Sequence, residues 1–314
     1  MRQTFGPERA SKEEPIEPRH ENLASSMQRR LEEIVLSMLN TLHERTGLDA
    51  LCMAGGVALN CVANGRIRSE TPFRELYIQP AAHDGGTSLG AASYVYHHKL
   101  GARRSYVMDH TYLGPEFGEQ RCRAALEDRA VAYRRVGDED LIRTTATSLQ
   151  TGKIVGWFQG RMEFGPRALG NRSILVDPRR PVMKDVLNAR IKHREPFRPF
   201  APAILEEATG DYFEDDYPSP FMLLTYDVKK DKLDEIPAPT HVDGTGRLQT
   251  VRRAQNPRYY DLIKAFEERT GVPVLLNTSF NENEPICCTP EEAVETFLRT
   301  KMDLLILGNL IVER

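Results

Sequence analysis

The fold is decided by two stretches that share one pattern, LCMAGGVALN at residues 51–60 and LYIQPAAHDGGTSLGAA at residues 76–92. Each begins with a short apolar run, continues into a pair of glycines, and ends in a helical stretch. A strand, a tight glycine turn and a helix in that order form the repeating unit of α/β proteins. The two stretches therefore predict the α/β fold class.

The pattern extends in both directions from these turns. Apolar residues between Met27 and Leu42 recur at helical spacing, which predicts a long amphipathic helix over 22–46 that Gly47 can end. Residues 1–20 carry three prolines and many charges, which predicts a linker or an extended amino terminus. Downstream, the pattern predicts helices near 88–99, 118–128, 138–150, 258–270 and 290–300, and strands near 131–136, 153–158, 272–277 and 303–312. We place the domains at 21–112 and 113–314.

Composition excludes several classes of protein. The 314 residues include 42 Lys and Arg against 45 Asp and Glu, for a formal net charge of −3. This near balance argues against nucleic acid as a partner. No apolar run approaches the length of a membrane span, and residues 1–20 are polar where a signal peptide needs an apolar core, so we expect a cytoplasmic protein. The five cysteines form no CxxC pair, which predicts reduced thiols.

The two glycine turns are candidate nucleotide-binding loops. Gly55 and Gly56 form the first pair, and Gly85 and Gly86 form the second. Glycine lets backbone N–H groups close on an anion, and the following helix adds a favourable dipole. Glycine is also common in such turns for geometry alone, and this alternative stays open. Asp84 could ligate a metal or cap the following helix.

Two segments rich in arginine are candidate phosphate sites, GRMEFGPRALGNRS at 160–173 and IKHREPFRPF at 191–200. Glycine, proline and aromatic residues separate their cations, unlike the pattern of a solvated helix face. Guanidinium groups bind phosphate oxygens in pairs, and proline stiffens the loops that carry them. The alternative is a surface ion-pair network with Glu163 and Glu195. The candidate cations are Arg161, Arg167, Arg172, Lys192, Arg194 and Arg198.

Two further segments place polar residues beside apolar strands. LLNTSFNENEPI at 275–286 runs from a buried strand into Asn277 and Ser279, and HVDGTGRLQTV at 241–251 carries Arg247 from a turn into a short strand. α/β folds bind ligands at the carboxyl ends of strands. An Asx or Ser turn that caps the next segment is the structural alternative.

Taken together, these motifs resemble the O-carbamoyltransferase family of the nodulation-factor, cephamycin and tobramycin type. The resemblance also rests on LCMAGGVALNCVANGRI, IQPAAHDGGTSLGAA, GWFQGRMEFGPRALGNRSILVDPR and NARIKHREPFRPFAPAI, and it extends in order from residue 50 to the end. It implies that 21–112 is the second lobe of an actin/Hsp70-like domain. Residues 113–314 would form a YrdC-like α/β domain.

The resemblance also implies a chemistry. The YrdC-like domain would convert carbamoyl phosphate and ATP to carbamoyl adenylate, with Mg²⁺ on the ATP phosphates. The actin-like domain would pass the carbamoyl group to a hydroxyl of a small-molecule acceptor, such as an antibiotic or a nodulation factor. By motif match, Lys192, Arg198, Arg247, Asn277 and Ser279 bind carbamoyl phosphate. The nucleotide-phosphate residues are Arg167, with Arg161, Arg172 and Arg194 ranked second.

The chain departs from the family at the metal site. The family carries an HxxxH pair that binds Fe²⁺ or another divalent metal together with the aspartate that Asp84 matches, and these residues contain no HxxxH. The chain could be a fragment, a subunit that pairs with a separate polypeptide supplying the missing lobe, a homo-oligomer, or a reduced enzyme. Two alternatives for function stay open. One is an enzyme that only forms carbamoyl adenylate, and the other is a non-catalytic nucleotide-binding partner in tRNA threonylcarbamoylation.

Overall fold

The computed structural model describes residues 2–9, 11 and 14–314, which form a mixed α/β fold. The helices are α1 Arg2–Phe5, α2 Pro18–Thr46, α3 Cys61–Gly65, α4 Ile67–Glu70, α5 Thr87–Ser93, α6 Glu119–Glu127, α7 Asp138–Gln150, α8 Met183–Leu187, α9 Thr209–Tyr212, α10 Pro257–Thr270 and α11 Pro290–Arg299. The strands are β1 Ala50–Met53, β2 Glu75–Ile78, β3 Arg134–Arg135, β4 Val155–Phe158, β5 Arg172–Val176, β6 Ala201–Leu205, β7 Leu224–Asp227, β8 Thr245–Val251, β9 Val274–Ser279, β10 Leu304–Leu307 and β11 Leu310–Glu313. The predicted α/β class is confirmed.

The ends of the longer helices follow from local sequence. Asn256 caps α10 by accepting from the Tyr259 N–H, and Gly271 ends the helix in the left-handed region at φ 77°. At α11, Thr289 and Glu292 form a reciprocal capping box, and Pro290 occupies the first turn. These signals stand in the sequence, and the predicted positions of both helices are confirmed within one residue.

The chain divides into two compact units. The first comprises Met1–Met53 and Val62–Tyr77, and the second comprises Ala54–Cys61 and Ile78–Arg314. In the first unit, Leu39 of α2 packs with Leu51, Ile67 and Phe73 in a small apolar core. Both glycine turns lie in the second unit. The domain boundary at 112 and 113 stays a prediction.

A nine-stranded mixed sheet organises the second unit. Its strand order is β3-β11-β10-β4-β5-β9-β6-β8-β7. The β10–β4 and β6–β8 pairs are parallel, and the other pairs are antiparallel. Because β9 runs antiparallel to β6, the carboxyl end of β9 lies beside the start of β6, with Asn277 opposite Ala201. Strand ends from distant parts of the sequence therefore lie side by side.

The central strands are buried along their lengths, since helices cover them. Every residue of β4, β5, β6 and β10 is buried. Side chains of α6, α8 and α11 form one core with alternate strand residues such as Ile174 and Leu276. Helices α7 and α10 pack against each other and contact β4, β6 and β9. A rigid core of this kind fixes the directions of the loops at the strand ends.

The structure differs from the sequence predictions at several places. The long helix begins at Pro18 instead of residue 22, because Glu17 and His20 close a capping box around its first turn. The prediction of a linker at 1–20 falls partly on residues 1, 10, 12 and 13, outside the described residues. Among the described residues of this segment, Arg2–Phe5 form the short helix α1. The helix predicted at 88–99 is α5 followed by a π-helical segment over Tyr94–Lys99.

Three strands were not predicted, and one predicted strand is two strands. The sequence predicts the short strand at Arg247, which is β8, but not β5, β6 or β7. The run predicted at 303–312 forms β10 and β11, which the left-handed Gly308 separates at φ 60°. No helix within the described residues has a segment apolar enough, and long enough, to cross a bilayer.

Candidate functional site

A cavity of about 250 Å³ brings together six of the residues predicted to bind phosphate groups. They are Arg167, Arg194, Arg198, Arg247, Asn277 and Ser279. The other lining residues are Pro166, Ala168, Pro199, Met222 and Thr278, so no Asp or Glu among the described residues lines it. We call this pocket the arginine cavity. Its lining residues suit an anionic ligand far better than a cation or an apolar ligand.

The sheet topology explains how distant residues converge here. Asn277 and Ser279 end β9, and β6 beside it begins after the segment that carries Arg194 and Arg198. Arg247 lies in β8, which pairs with the other edge of β6. The loop between β4 and β5 carries Arg167 to the same place. Four segments separated in sequence therefore supply one site.

The deepest guanidinium groups are charged, buried and short of partners. The Nε atoms of Arg167 and Arg247 are buried, and neither has a hydrogen-bond partner among the described residues. Burial lowers the pKa of Arg167. Burial, together with the charge of Arg167, lowers the pKa of Arg247 to about 10. Both remain cations at neutral pH, and an anion in the cavity would offset their desolvation and mutual repulsion.

Arg194 and Arg198 form the more exposed part of the arginine cavity. The Nε of Arg194 donates to Asn188 Oδ1 at 2.7 Å, and its guanidinium lies 4.7 Å from the centre of the Phe200 ring. Burial and the charge of Arg198 lower the pKa of Arg194 to about 10. Arg198 Nη1 lies 3.7 Å from Glu195 Oε2. This is the ion pair that the structural alternative predicts for Glu195.

Lys192 lies behind Ser279 and does not line the arginine cavity. Its Nζ donates at 2.7 Å to the carbonyl oxygen of Ser279 and to both oxygens of Asn281, and it lies 3.3 Å from Ser279 Oγ. Burial, followed by the charge of Arg194, lowers the pKa of Lys192 to about 7. The Lys192 side chain therefore holds the end of β9. Because its pKa is about 7, this group is only partly protonated at neutral pH.

Two predicted phosphate residues lie elsewhere. Arg172 is buried, with four backbone carbonyls accepting from its guanidinium at 2.5–3.3 Å and the Phe158 ring 3.6 Å away. This arrangement holds the loop and leaves no face for a ligand. Arg161 donates to the Gly114 carbonyl at 3.2 Å and lines a separate cavity of about 480 Å³ with Gln159 and Arg258.

The glycine turns contact each other and do not line the arginine cavity. Gly55 has φ 103°, and its N–H donates to the Ala82 carbonyl at 2.8 Å. A Cβ at Gly86 would lie 1.9 Å from the Ala81 carbonyl oxygen, so only glycine fits. The Gly85 N–H donates to His83 Nδ1 at 3.0 Å. Geometry thus accounts for Gly55 and Gly86, while a nucleotide contact at Gly55, Gly56, Gly85 or Gly86 stays a prediction.

Asp84 lies on the surface without a set of metal ligands. Its carbonyl oxygen accepts from Thr87 Oγ1 at 2.6 Å, as expected at a helix start. Among the described residues, no group of three or more His, Cys, Asp or Glu side chains could hold a metal ion. A divalent metal at Asp84 therefore does not fit these residues, because such sites need several ligands in fixed geometry.

Sequence reasoning missed two residues that hold the arginine cavity. Glu163 is buried, and its Oε1 accepts from the backbone N–H groups of Leu169, Asn171 and Arg172 at 2.7, 2.8 and 3.3 Å. The surface ion pair proposed for Glu163 is therefore wrong, since this carboxylate organises the loop that carries Arg167. Gln249 is buried in β8 and bonds to Asn277. For Gln249, a polar residue inside a short predicted strand was the available signal, whereas Glu163 lies in the loop between β4 and β5 and carried none.

Comparison with known proteins agrees with this geometry. Residues 146–314 match the carbamoyltransferase C-terminus family, and residues 2–93 match the carbamoyltransferase N-terminus family. The chain is 48% identical to protein sll1178 of Synechocystis over 99% of its own length and 55% of that protein. It is 43% identical to nodulation protein NolNO of Sinorhizobium fredii, over 96% of this chain and 45% of that protein.

A third relative shows the same coverage. Nodulation protein NolO of Bradyrhizobium diazoefficiens is 44% identical over 96% of this chain and 56% of its own length. The chain thus spans about half the length of these curated relatives. The C-terminal match contains every residue that lines the arginine cavity. The chain belongs to the carbamoyltransferase family.

Proposed function

We propose that this chain uses ATP to activate carbamoyl phosphate as carbamoyl adenylate, for transfer to a hydroxyl group of a natural-product acceptor. The observation that supports the proposal is the arginine cavity, in which four arginines converge beside Asn277 and Ser279. Two phosphorylated substrates bring many negative charges together, and fixed cations reduce their repulsion. The family match supports the carbamoyl group as the group to be transferred.

The proposed reaction balances in two steps. Water cleaves carbamoyl phosphate to carbamate and inorganic phosphate. A carbamate oxygen then attacks the α-phosphorus of ATP, and pyrophosphate leaves as carbamoyl adenylate forms. Mg²⁺ would arrive bound to ATP and neutralise part of its phosphate charge.

Five residues of the arginine cavity have a part in this scheme. Arg247, Asn277 and Ser279 would bind carbamoyl phosphate, with Lys192 holding Ser279 from behind. Arg167 would bind the ATP phosphates, and Arg198 would bind phosphate from the exposed side. At about 250 Å³, the cavity is smaller than the pockets of about 300–1,000 Å³ that enclose drug-sized ligands. The nucleoside of ATP would therefore extend beyond it.

Product analysis tests the activation step. The purified chain is incubated with ATP and carbamoyl phosphate, and mass spectrometry detects carbamoyl adenylate while a coupled assay detects pyrophosphate. We expect both products, and we expect none when threonine and bicarbonate replace carbamoyl phosphate. Adenylate formation from threonine and bicarbonate would instead favour a role in tRNA threonylcarbamoylation. Failure to release pyrophosphate under either condition would contradict the proposal.

The transfer step needs a separate test. The curated relatives are about twice as long as this chain, and the described residues gather no metal ligands around Asp84. We propose that acceptor carbamoylation requires a polypeptide corresponding to the remainder of those relatives. An acceptor assay with and without that polypeptide decides this, because full transfer by the chain alone would show the addition to be unnecessary.

A further inference from the structure

Gln249 links three of the segments that build the arginine cavity. It lies in β8, two residues after Arg247, and is 1% exposed. Its Nε2 donates to the Leu169 carbonyl at 2.8 Å, and its Oε1 accepts from Asn277 Nδ2 at 3.1 Å. The Arg167 loop, the Arg247 strand and the end of β9 are therefore joined through one side-chain amide.

This relay fixes the orientation of the Asn277 amide. Asn277 Nδ2 also donates to the Ala168 carbonyl at 3.1 Å. Both backbone carbonyls accept only, so each must face an N–H₂ group. Turning the Asn277 amide over would set its oxygen against two other oxygens. Gln249 cannot turn either, because its own amine faces Leu169.

The fixed orientation leaves one hydrogen-bond acceptor over. Asn277 lines the arginine cavity, and its Oδ1 is buried with no partner among the described residues. A buried acceptor without a donor is costly, so a ligand that supplies an N–H is favoured over one that does not. The neighbouring arginines are donors and take the phosphate oxygens. The acceptor therefore calls for a ligand that combines a phosphate group with an N–H donor.

We propose that Gln249 is a positioning residue that sets the substrate specificity of the site, by presenting Asn277 Oδ1 to the amino group of a carbamoyl ligand. The inference rests on the proposed function. It adds that the site selects carbamoyl phosphate over acetyl phosphate, which carries the same phosphate group but has a methyl group in place of the amino group. A site built to bond a substrate N–H rejects the analogue that lacks it, because its own buried group is left unpaired.

Loss of Gln249 should leave the fold intact. The Leu169 carbonyl also accepts from the Tyr112 hydroxyl at 2.9 Å, and Asn277 Nδ2 keeps its bond to Ala168. Each partner of Gln249 thus retains another partner. What the variant loses is one of the two bonds that orient the Asn277 amide, so the amide is held less firmly.

Ligand binding to the full chain tests the proposal. Titration calorimetry measures the dissociation constants of carbamoyl phosphate, acetyl phosphate and inorganic phosphate for the wild type, Gln249→Leu and the control Gln150→Leu. Gln150 donates to the Arg269 carbonyl at 3.3 Å, far from the arginine cavity. We expect the wild type and the control to prefer carbamoyl phosphate over acetyl phosphate by at least about tenfold. We expect that preference to fall by at least about threefold in Gln249→Leu, while its affinity for inorganic phosphate changes by less than about threefold.

The outcomes separate this inference from the proposed function. A folded Gln249→Leu variant that keeps the preference would overturn the role of Gln249 while leaving the proposed function in place. A wild type that binds all three phosphates without preference would also overturn it. A wild type that binds none of them would overturn both proposals. If Gln249→Leu does not fold, Gln249→Met is measured instead, since it keeps the length of the side chain but cannot accept from Asn277.

Discussion

Arg247 shows how binding and stability oppose each other at a single residue. Its guanidinium is buried beside Arg167, and this burial lowers its pKa to about 10. We predict that Arg247→Met unfolds at higher denaturant concentration than the wild type, by about 1 kcal/mol in free energy of unfolding, because a desolvated and repelled charge is removed. We expect the same variant to release pyrophosphate about a hundredfold more slowly. Urea titration and a pyrophosphate assay check the two parts.

The matched control for that prediction is Arg143→Met. Arg143 pairs with Asp140 on an exposed surface, so its loss should change the stability by less than about 0.5 kcal/mol and should not affect the reaction. If Arg247→Met proves less stable than the wild type, the bonds of Arg247 in the folded state outweigh its desolvation.

Lys192 predicts a dependence of stability on pH. Its pKa is about 7 in the folded state and near 10.5 when the chain is unfolded, so between these values the unfolded state binds more protons. Stability must then rise with pH over that interval, since folding removes the Lys192 proton and this removal costs less free energy as the pH rises. We predict that the free energy of unfolding of the wild type, relative to Lys192→Met, increases from pH 7 to pH 10. Urea titrations of both proteins at each pH measure the difference, and a flat difference would show that the oxygens around Nζ keep it charged.

At the scale of the element, the loop from Glu163 to Arg172 depends on one carboxylate. We predict that Glu163→Ala lowers the free energy of unfolding by about 2–4 kcal/mol, because three buried N–H groups lose their acceptor. Glu163→Gln keeps the accepting oxygen and should cost about half as much or less. Denaturant unfolding of the two variants makes the comparison. Equal losses would mean that the charge of Glu163, and not its accepting oxygen, holds the loop.

The elements differ in how far they could be predicted from sequence. Helices α10 and α11 were predicted closely, because capping residues and proline mark their ends locally. Strands β5 and β6 were missed, because Arg172 begins one and Pro202 lies within the other, against the usual preferences of strands. Their strand character comes from neighbours that are distant in the sequence, which no local pattern records.

The candidate site was predictable as a set of residue types but not as an arrangement. Arg167 and Arg172 stand five positions apart in one motif, and only the path of the loop sends the first into the arginine cavity and the second under backbone carbonyls. The roles of Glu163 and Gln249 depend on bonds that span 6–80 residues. The Gln249 contact follows from the strand order, which is not sequential, and the Glu163 contacts follow from the path of its loop.

At the scale of the whole molecule, the second unit is closed by pairing between its distant parts. Strand β10 pairs in parallel with β4, and the Ile154 N–H donates to Asp303 across 149 residues of sequence. Strand β9, which contributes Asn277 and Ser279, lies between β5 and β6. The sheet can therefore be completed only when the last third of the chain has joined the rest.

Because of this strand order, the recovery of ligand affinity reports the completion of folding. Chains dominated by long-range pairings fold slowly, because the entropy lost on loop closure comes before the contacts that offset it. We predict that, after dilution from urea, far-ultraviolet circular dichroism recovers in an early phase while binding of inorganic phosphate returns only with the slowest one. Double-jump experiments, in which phosphate is added at successive refolding times, measure this lag. Helices of the second unit would thus form while the chain still cannot bind phosphate. Phosphate would bind only to the molecules in which β9 has joined the sheet.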